Sequence, residues 1–328
     1  MAKADDLTSG LYRDRRMTVL KSFAKINLGL EVTGKRPDGY HNLETIFQGV
    51  DLFDTIAVEE NRSGRLCLSG SDPAIAWDET NTIARAFAWV YRDFDVSLGF
   101  DVRVEKEIPP GSGLGGGSSN AAVILLFLND RLGLGLTGDD LLSAARQIGA
   151  DVPYFLVGGT VRASGIGDQL LSLPDLQECS VGIVVPPVRV STALIFSHLR
   201  LTTRPITSKI DTFIESRDFT ILENGLEKVT FKLFPEVGAI KEKMLRSMAC
   251  SLVLMSGSGS SVYCLADNLD ISRLKDLFPG FTCRVVKTLT RQEYFKRIGA
   301  SPSGKAPAFG AGIRRFESFR PSLNNHVR

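Results

Sequence analysis

Between Pro109 and Asn120 the chain reads Pro-Pro-Gly-Ser-Gly-Leu-Gly-Gly-Gly-Ser-Ser-Asn, and five of its 31 glycines fall in residues 109–119. An alternating apolar run (Phe100, Val102, Val104) precedes this stretch and ends at Ile108. A strongly helical apolar run over 121–132, stopped by Gly133, follows it. Strand, glycine loop and helix N-terminus together make an anion site. Glycine tolerates the dihedrals that turn several N–H groups inward, and the helix dipole adds favourable potential for phosphate. No Gly-Lys-[Ser/Thr] follows, so this is not a Walker A loop. Gly111-x-Gly113-x-x-Gly116 fits the bare dinucleotide pattern, but no acidic residue lies on a second strand about twenty residues on. A phosphate loop without its own lysine needs a cation from elsewhere, and Lys25 is the candidate. Ile26, Leu28, Leu30 and Val32 alternate with Lys25, Asn27, Gly29 and Glu31, which predicts a half-buried strand with Lys25 and Asn27 on one polar face.

The remaining pattern supplies the elements that must hold these groups. Lys35 to His41 is a turn around Pro37-Asp38-Gly39, and strands are predicted at 45–50 and 55–59. Asn81 caps a helix whose apolar face is Ile83, Phe87 and Val90. Thr137 and Asp140 start another, which ends at Gly149. In the second half, strands are predicted at 181–185, 252–255, 262–265 and 282–289, with helices at 206–215 and 236–247. The class is α+β, and periodicity leaves the strand order open.

With 328 residues, 43% hydrophobic and 23% charged, the chain can bury the cores of about two domains. A net charge of +2 gives no support to a general nucleic-acid or membrane-surface binder. No apolar run approaches the ~20 residues of a membrane span, and the charged residues 1–16 lack the apolar core of a secretory signal. Five cysteines without a C-x-x-C pair, beside three histidines, argue against structural zinc and for scattered thiols in a reducing compartment. A cytoplasmic location is expected.

Five segments occur in order: Phe23-Ala24-Lys25-Ile26-Asn27-Leu28, Arg36-Pro37-Asp38-Gly39-Tyr40-His41, Pro109 to Ala122, Gly149-Ala150-Asp151-Val152-Pro153, and Met255 to Ser261. Together they resemble the GHMP kinase superfamily over about residues 17–290. The resemblance implies two domains: a ribosomal protein S5 domain 2-like N-terminal ATP-binding domain over 17–172, and a ferredoxin-like substrate domain over 173–297. These are flanked by a flexible leader, 1–16, and a flexible tail, 298–328. The Pro-Asp-Gly-Tyr-His and Gly-Ala-Asp-Val-Pro segments resemble one branch in particular. They imply phosphorylation by ATP of the 2-hydroxyl of 4-diphosphocytidyl-2-C-methyl-D-erythritol, in non-mevalonate isoprenoid precursor biosynthesis.

Residue by residue, the resemblance implies Asp151 and Lys25 as the catalytic pair. ATP phosphates are expected at Pro109, Pro110, Gly111, Ser112, Gly113, Leu114, Gly115, Gly116, Gly117, Ser118 and Ser119. Ser118 or Ser119 is a possible ligand of the accompanying Mg2+, and no carboxylate ligand is identified. Asn27 would touch substrate near the reacting hydroxyl. Tyr40 and His41 would recognise cytosine, and Phe196 would cover its other face. Gly257 and Ser258, in the third glycine motif, would close over loop and substrate. Glu223-Asn224-Gly225-Leu226-Glu227 departs from the family's Asn-Asp-Leu-Glu, although Asn224 and Glu227 still match. The alternatives are a GHMP kinase for mevalonate or homoserine, which have no cytosine to recognise, and a non-catalytic sensor, which would be expected to lose Lys25 or Asp151. The expected partner is the small-molecule substrate alone, on a monomer or weak homodimer.

Overall fold

The computed structural model describes residues 17–200, 208–299 and 314–315. The expected flexible leader lies outside them, as do Ile206 and nearly all of the expected flexible tail. Alternation in the first sixty residues produces two very long strands, β1 (Thr18–Lys35) and β2 (His41–Asn61), paired antiparallel along their length. The two strands expected at 45–50 and 55–59 are thus one. The pairing slips between Phe23 and Ala24, whose partners are Phe53 and Val50, so Asp51 and Leu52 form an irregularity that breaks the sequence pattern without ending the strand.

The second edge of β2 is shared. Its first part pairs with β5 (Thr160–Gly165) and its second with β4 (Gly99–Glu105). Outside these lie β3 (Leu66–Gly70), parallel to β4, and β6 (Gln169–Ser172), antiparallel to β5. Four helices accompany this sheet: α1 (Thr82–Asp93), α2 (Gly116–Arg131), α3 (Gly138–Ile148) and α4 (Val152–Val157). Helix α2 is the centre of the first core. Every residue from Ser119 to Leu128 is buried, because α1, α3, α4 and the sheet surround it.

The second sheet contains β7 (Ser180–Val185), β8 (Leu252–Met255), β9 (Val262–Ala266) and β10 (Thr282–Lys287). Its order, β10-β7-β9-β8, is antiparallel throughout, the 4-1-3-2 order of the ferredoxin-like sheet expected there. Helices α5 (Thr192–Ser197), α6 (Lys209–Ser216), α7 (Glu227–Leu233) and α8 (Pro235–Ser247) lie between β7 and β8, and α9 (Ile271–Leu277) lies between β9 and β10.

Two segments return to the first sheet. Helix α10 (Arg291–Ile298) buries Tyr294, Phe295 and Ile298 in the first core, so the expected substrate domain, 173–297, does not keep its last helix. Strand β11 (Arg314–Arg315) pairs parallel to β6, so the expected loose tail rejoins the sheet at this point. Among the described residues no helix is long and apolar enough to cross a membrane.

The edge of β1 away from β2 is covered near Leu30 by the segment that precedes α7. Leu30 N–H donates to the Glu223 carbonyl at 2.9 Å, and Gly225 N–H donates to the Leu30 carbonyl at 2.7 Å. Strand β1 is buried on both faces over Phe23–Val32, where alternation alone predicts half-burial, because its side chains enter three core clusters.

Candidate active site

Lys25 is set by its backbone, its stem and its ammonium. Its backbone N–H donates to the Leu114 carbonyl at 3.0 Å, which pins β1 to the glycine loop. Its stem passes Gly115, and its Nζ stands 4.9 Å over the centroid of the Phe47 ring. The ammonium donates to Asn27 Oδ1 at 2.6 Å and lies 3.4 Å from Asp151 Oδ2. An ammonium has three N–H groups and Asn27 accepts one, so N–H groups remain for an oxygen in the cavity. Asn27 is buried and held in turn, because its Nδ2 donates to Thr45 Oγ1 at 2.9 Å and its carbonyl accepts from the Tyr263 hydroxyl at 2.7 Å. No pattern in the sequence points to Thr45. It reaches Asn27 only through the pairing of Leu30 with Thr45.

Asp151 precedes α4, whose six residues are all buried. A residue there commonly caps the helix, yet the Asp151 side chain makes no cap hydrogen bond. It projects into the cavity with 36% exposure and has Lys25 as its ion-pair partner. The helix behind it is fixed against the glycine loop: a Cβ on Gly115 would lie 2.7 Å from Phe155 Cζ.

The loop itself is a turn followed by an uncapped helix start. Gly115, at φ +74°, is the N-cap of α2, and no side chain caps it. Ser119 N–H donates to the Gly115 carbonyl, so the N–H groups of Gly116, Gly117 and Ser118 are the orphan donors of the first turn. The helix begins five residues earlier than the apolar run predicts. Ser112 and Leu114 are turned away from this site. The Ser112 hydroxyl donates to the Pro109 carbonyl at 2.6 Å, and the Leu114 side chain is in the core. Ser119 Oγ is buried without a hydrogen-bond partner among the described residues, whereas Ser118 is half-exposed. Of the two serines proposed for a metal, only Ser118 is open to it.

The third motif closes on the loop from the second sheet. Ser256 Oγ donates to the Gly113 carbonyl at 2.9 Å, and Ser261 donates to the Ser112 carbonyl from its N–H at 3.0 Å and from its Oγ at 2.7 Å. Asn224 supports this turn by donating to the carbonyls of Met255 and Gly257 at 2.7 and 2.8 Å. Glu227 accepts the Met255 N–H at 2.9 Å and pairs with Lys241 at 2.6 Å. The two matching residues of the divergent 223–227 segment thus act as braces for Gly257.

A cavity of about 730 Å³ unites these parts, the size range of small-molecule sites. Lys25, Asn27, Asp151, Gly113, Gly257 and Ser258 line it, together with Tyr40, His41 and Phe196 from the turn and from α5. The His41 and Phe196 rings stack on each other at 5.1 Å between centroids and 29° between planes. Tyr40, 61% exposed, stands at the rim. Burial, with a smaller contribution from the Lys35 charge, pushes the His41 imidazole below its ordinary pKa of 6.5. Thr192 was not singled out by sequence, although it also lines the cavity and shares a 2.8 Å hydrogen bond with Ser258 Oγ.

Residues 81–159 match the family described as GHMP kinases N terminal domain, and residues 213–276 match GHMP kinases C terminal. A 4-diphosphocytidyl-2-C-methyl-D-erythritol kinase of Finegoldia magna is 36% identical over 271 residues, which span 80% of this chain and 97% of that protein. Its counterpart of the same name in Geobacter sp. (strain M21) is 40% identical over 260 residues, spanning 76% and 90%. The crystal structure of a 4-(cytidine 5'-diphospho)-2C-methyl-D-erythritol kinase matches with a TM-score of 0.71 at 33% identity, covering 82% of this chain and 98% of that one. By sequence, by domain content and by fold, the chain belongs to the 4-diphosphocytidyl-2-C-methyl-D-erythritol kinase family of the GHMP kinases.

Proposed function

We propose that this chain transfers the γ-phosphoryl group of ATP to the 2-hydroxyl of 4-diphosphocytidyl-2-C-methyl-D-erythritol, giving the 2-phosphate and ADP. The observation that carries this reading is one cavity lined both by the Lys25–Asp151 pair beside the glycine loop and by the His41–Phe196 ring pair. The first suits transfer to an alcohol, and the second suits a flat heteroaromatic group such as cytosine. Mevalonate and homoserine offer the ring pair nothing to engage.

ATP phosphates lie against the free N–H groups of Gly116–Ser118, where the dipole of α2 favours negative charge. Asp151 orients the substrate hydroxyl and takes its proton as the oxygen–phosphorus bond forms and the bond from the γ-phosphorus to ADP breaks. A carboxylate is a weak base toward an alcohol, so orientation counts as much as the proton transfer. Lys25 offers a free N–H to charge developing on the transferred group. Asn27 holds Lys25 in place and faces the reacting end of the substrate. The half-exposed Ser118 hydroxyl would be a ligand for the Mg2+ that accompanies ATP, and the ion, when bound, would neutralise phosphate charge. Five free thiols fit a cytoplasmic enzyme.

An ADP-release assay with the cytidyl substrate, mevalonate and homoserine in parallel tests the reading. Turnover is expected with the first alone, and no turnover of it would refute the proposal. Phe196→Ala is expected to raise KM for the cytidyl substrate roughly tenfold, as loss of one aromatic stacking face does, with KM for ATP unchanged. Tyr40→Ala should have the smaller effect, because Tyr40 is at the rim. A collapse of ATP affinity in either variant would contradict these assignments.

A further inference from the structure

Asp54 stands on β2 opposite Ser22 of β1 and is fully buried. Its Oδ1 accepts the backbone N–H groups of Glu107 and Ile108, each at 2.9 Å. Its Oδ2 accepts from Lys106 Nζ and, at 3.0 Å, from Asn120 Nδ2. A carboxylate has about four lone-pair sites, and all four are used. The donors come from both flanks of the glycine loop, since residues 106–108 run into Pro109 and Asn120 directly follows Ser119. The flanks are also tied to each other, because Lys106 Nζ donates to Asn120 Oδ1 at 3.2 Å, and Asn120 Nδ2 continues to Ser22 Oγ.

The placement of Lys106 is costly. Its side chain is 6% exposed, and a Cβ on Gly116 would lie 3.2 Å from its Nζ, so a buried cation sits at the positive end of α2. Packing alone would be served as well by apolar residues of similar volume. What the ion pair adds is a fixed spacing between the strand that enters the loop and the helix that leaves it.

We propose that Asp54 is the positioning residue of the phosphate loop: it holds both flanks so that the N–H groups of Gly116–Ser118 are set for ATP before the nucleotide arrives. The inference rests on the reading of this loop as the ATP site, and the test separates the two. Calorimetric titration of the full chain with ATP, without alcohol substrate, comes first. Failure of the unaltered protein to bind would overturn that underlying reading and this inference with it.

Given binding, Asp54→Asn is expected to weaken ATP roughly tenfold or more and to raise KM for ATP in step, while KM for the cytidyl substrate stays within about twofold. The double variant Asp54→Asn/Lys106→Met leaves no unpaired cation but also no ion pair to set the spacing, so it should still bind ATP about fivefold or more weaker than the unaltered protein. A folded Asp54→Asn protein that binds ATP within about twofold of normal would overturn the role. So would a double variant that recovers normal binding, because the loss would then come from the unpaired charge alone. If Asp54→Asn does not fold, amide exchange of the unaltered protein decides. The N–H groups of Glu107 and Ile108 should be protected without nucleotide, and rapid exchange there would show that the flanks are not preset.

Discussion

Asp151→Asn is expected to lower kcat by roughly 10²-fold or more, with KM for ATP within about threefold of normal. The amide keeps the shape and size of the side chain, so α4 and the cavity wall should be undisturbed. What it removes is the acceptor for the hydroxyl proton and the countercharge 3.4 Å from Lys25. Asp151 makes no cap bond to α4 and is 36% exposed, so its charge is not part of what holds the fold. The melting temperature should therefore move by no more than a few degrees. Steady-state kinetics with both substrates, beside a thermal melt, checks the prediction. Near-normal kcat would remove Asp151 from the mechanism, and a large loss of stability would mean that the side chain is structural after all.

Gly113→Ala should be nearly as damaging by a different route. Gly113 has φ +79°, and a Cβ there would lie 2.0 Å from the Ser256 carbonyl oxygen and 3.1 Å from that of Gly259. Both neighbours are backbone, so they can yield only by separating the third motif from the loop. Left-handed strain together with overpacking amounts to about 2–5 kcal/mol. The expected result is at least a tenfold loss in kcat/KM for ATP and a clear fall in melting temperature. Gly133→Ala is the control. Gly133 also has positive φ, +61°, but nothing lies within 4 Å of its Cβ position, so it carries the dihedral strain alone. If Gly113→Ala were no worse than Gly133→Ala, the contact between the two glycine motifs would not hold the site together.

Features governed by neighbours in the chain were legible beforehand. Asn81 accepts the Ile83 N–H, and Thr137 with Asp140 forms a full capping box, both as the residue types predict. These depend on hydrogen bonds spanning two or three residues, which composition and spacing specify directly. The same holds for the backbone of the loop between β4 and α2, where Gly111, Gly113 and Gly115 all take positive φ. The start of α2 was not legible, because Gly116 and Gly117 are poor helix formers and are wound into helix by packing around them. Of the helix expected at 206–215, the described part begins at Lys209 behind the cap of Ser208 and runs to Ser216.

By itself, then, the sequence determined the chemical inventory: a glycine loop between strand and helix, a strand lysine and asparagine on one face, an aspartate after Gly149-Ala150, and an aromatic turn. Only the tertiary structure decided how they meet. His41 stacks on Phe196 from the far side of the chain, Ser256 and Ser261 latch the loop from another sheet, and α10 leaves the second unit to fill the first core. The physical reason is that such contacts join residues with no fixed offset along the chain. Local rules record periods of two or three to four residues and the bonds within a turn. They carry no record of which distant carbonyl will stand 2.0 Å from an absent Cβ, or of which carboxylate will close its four acceptor sites on both ends of a loop.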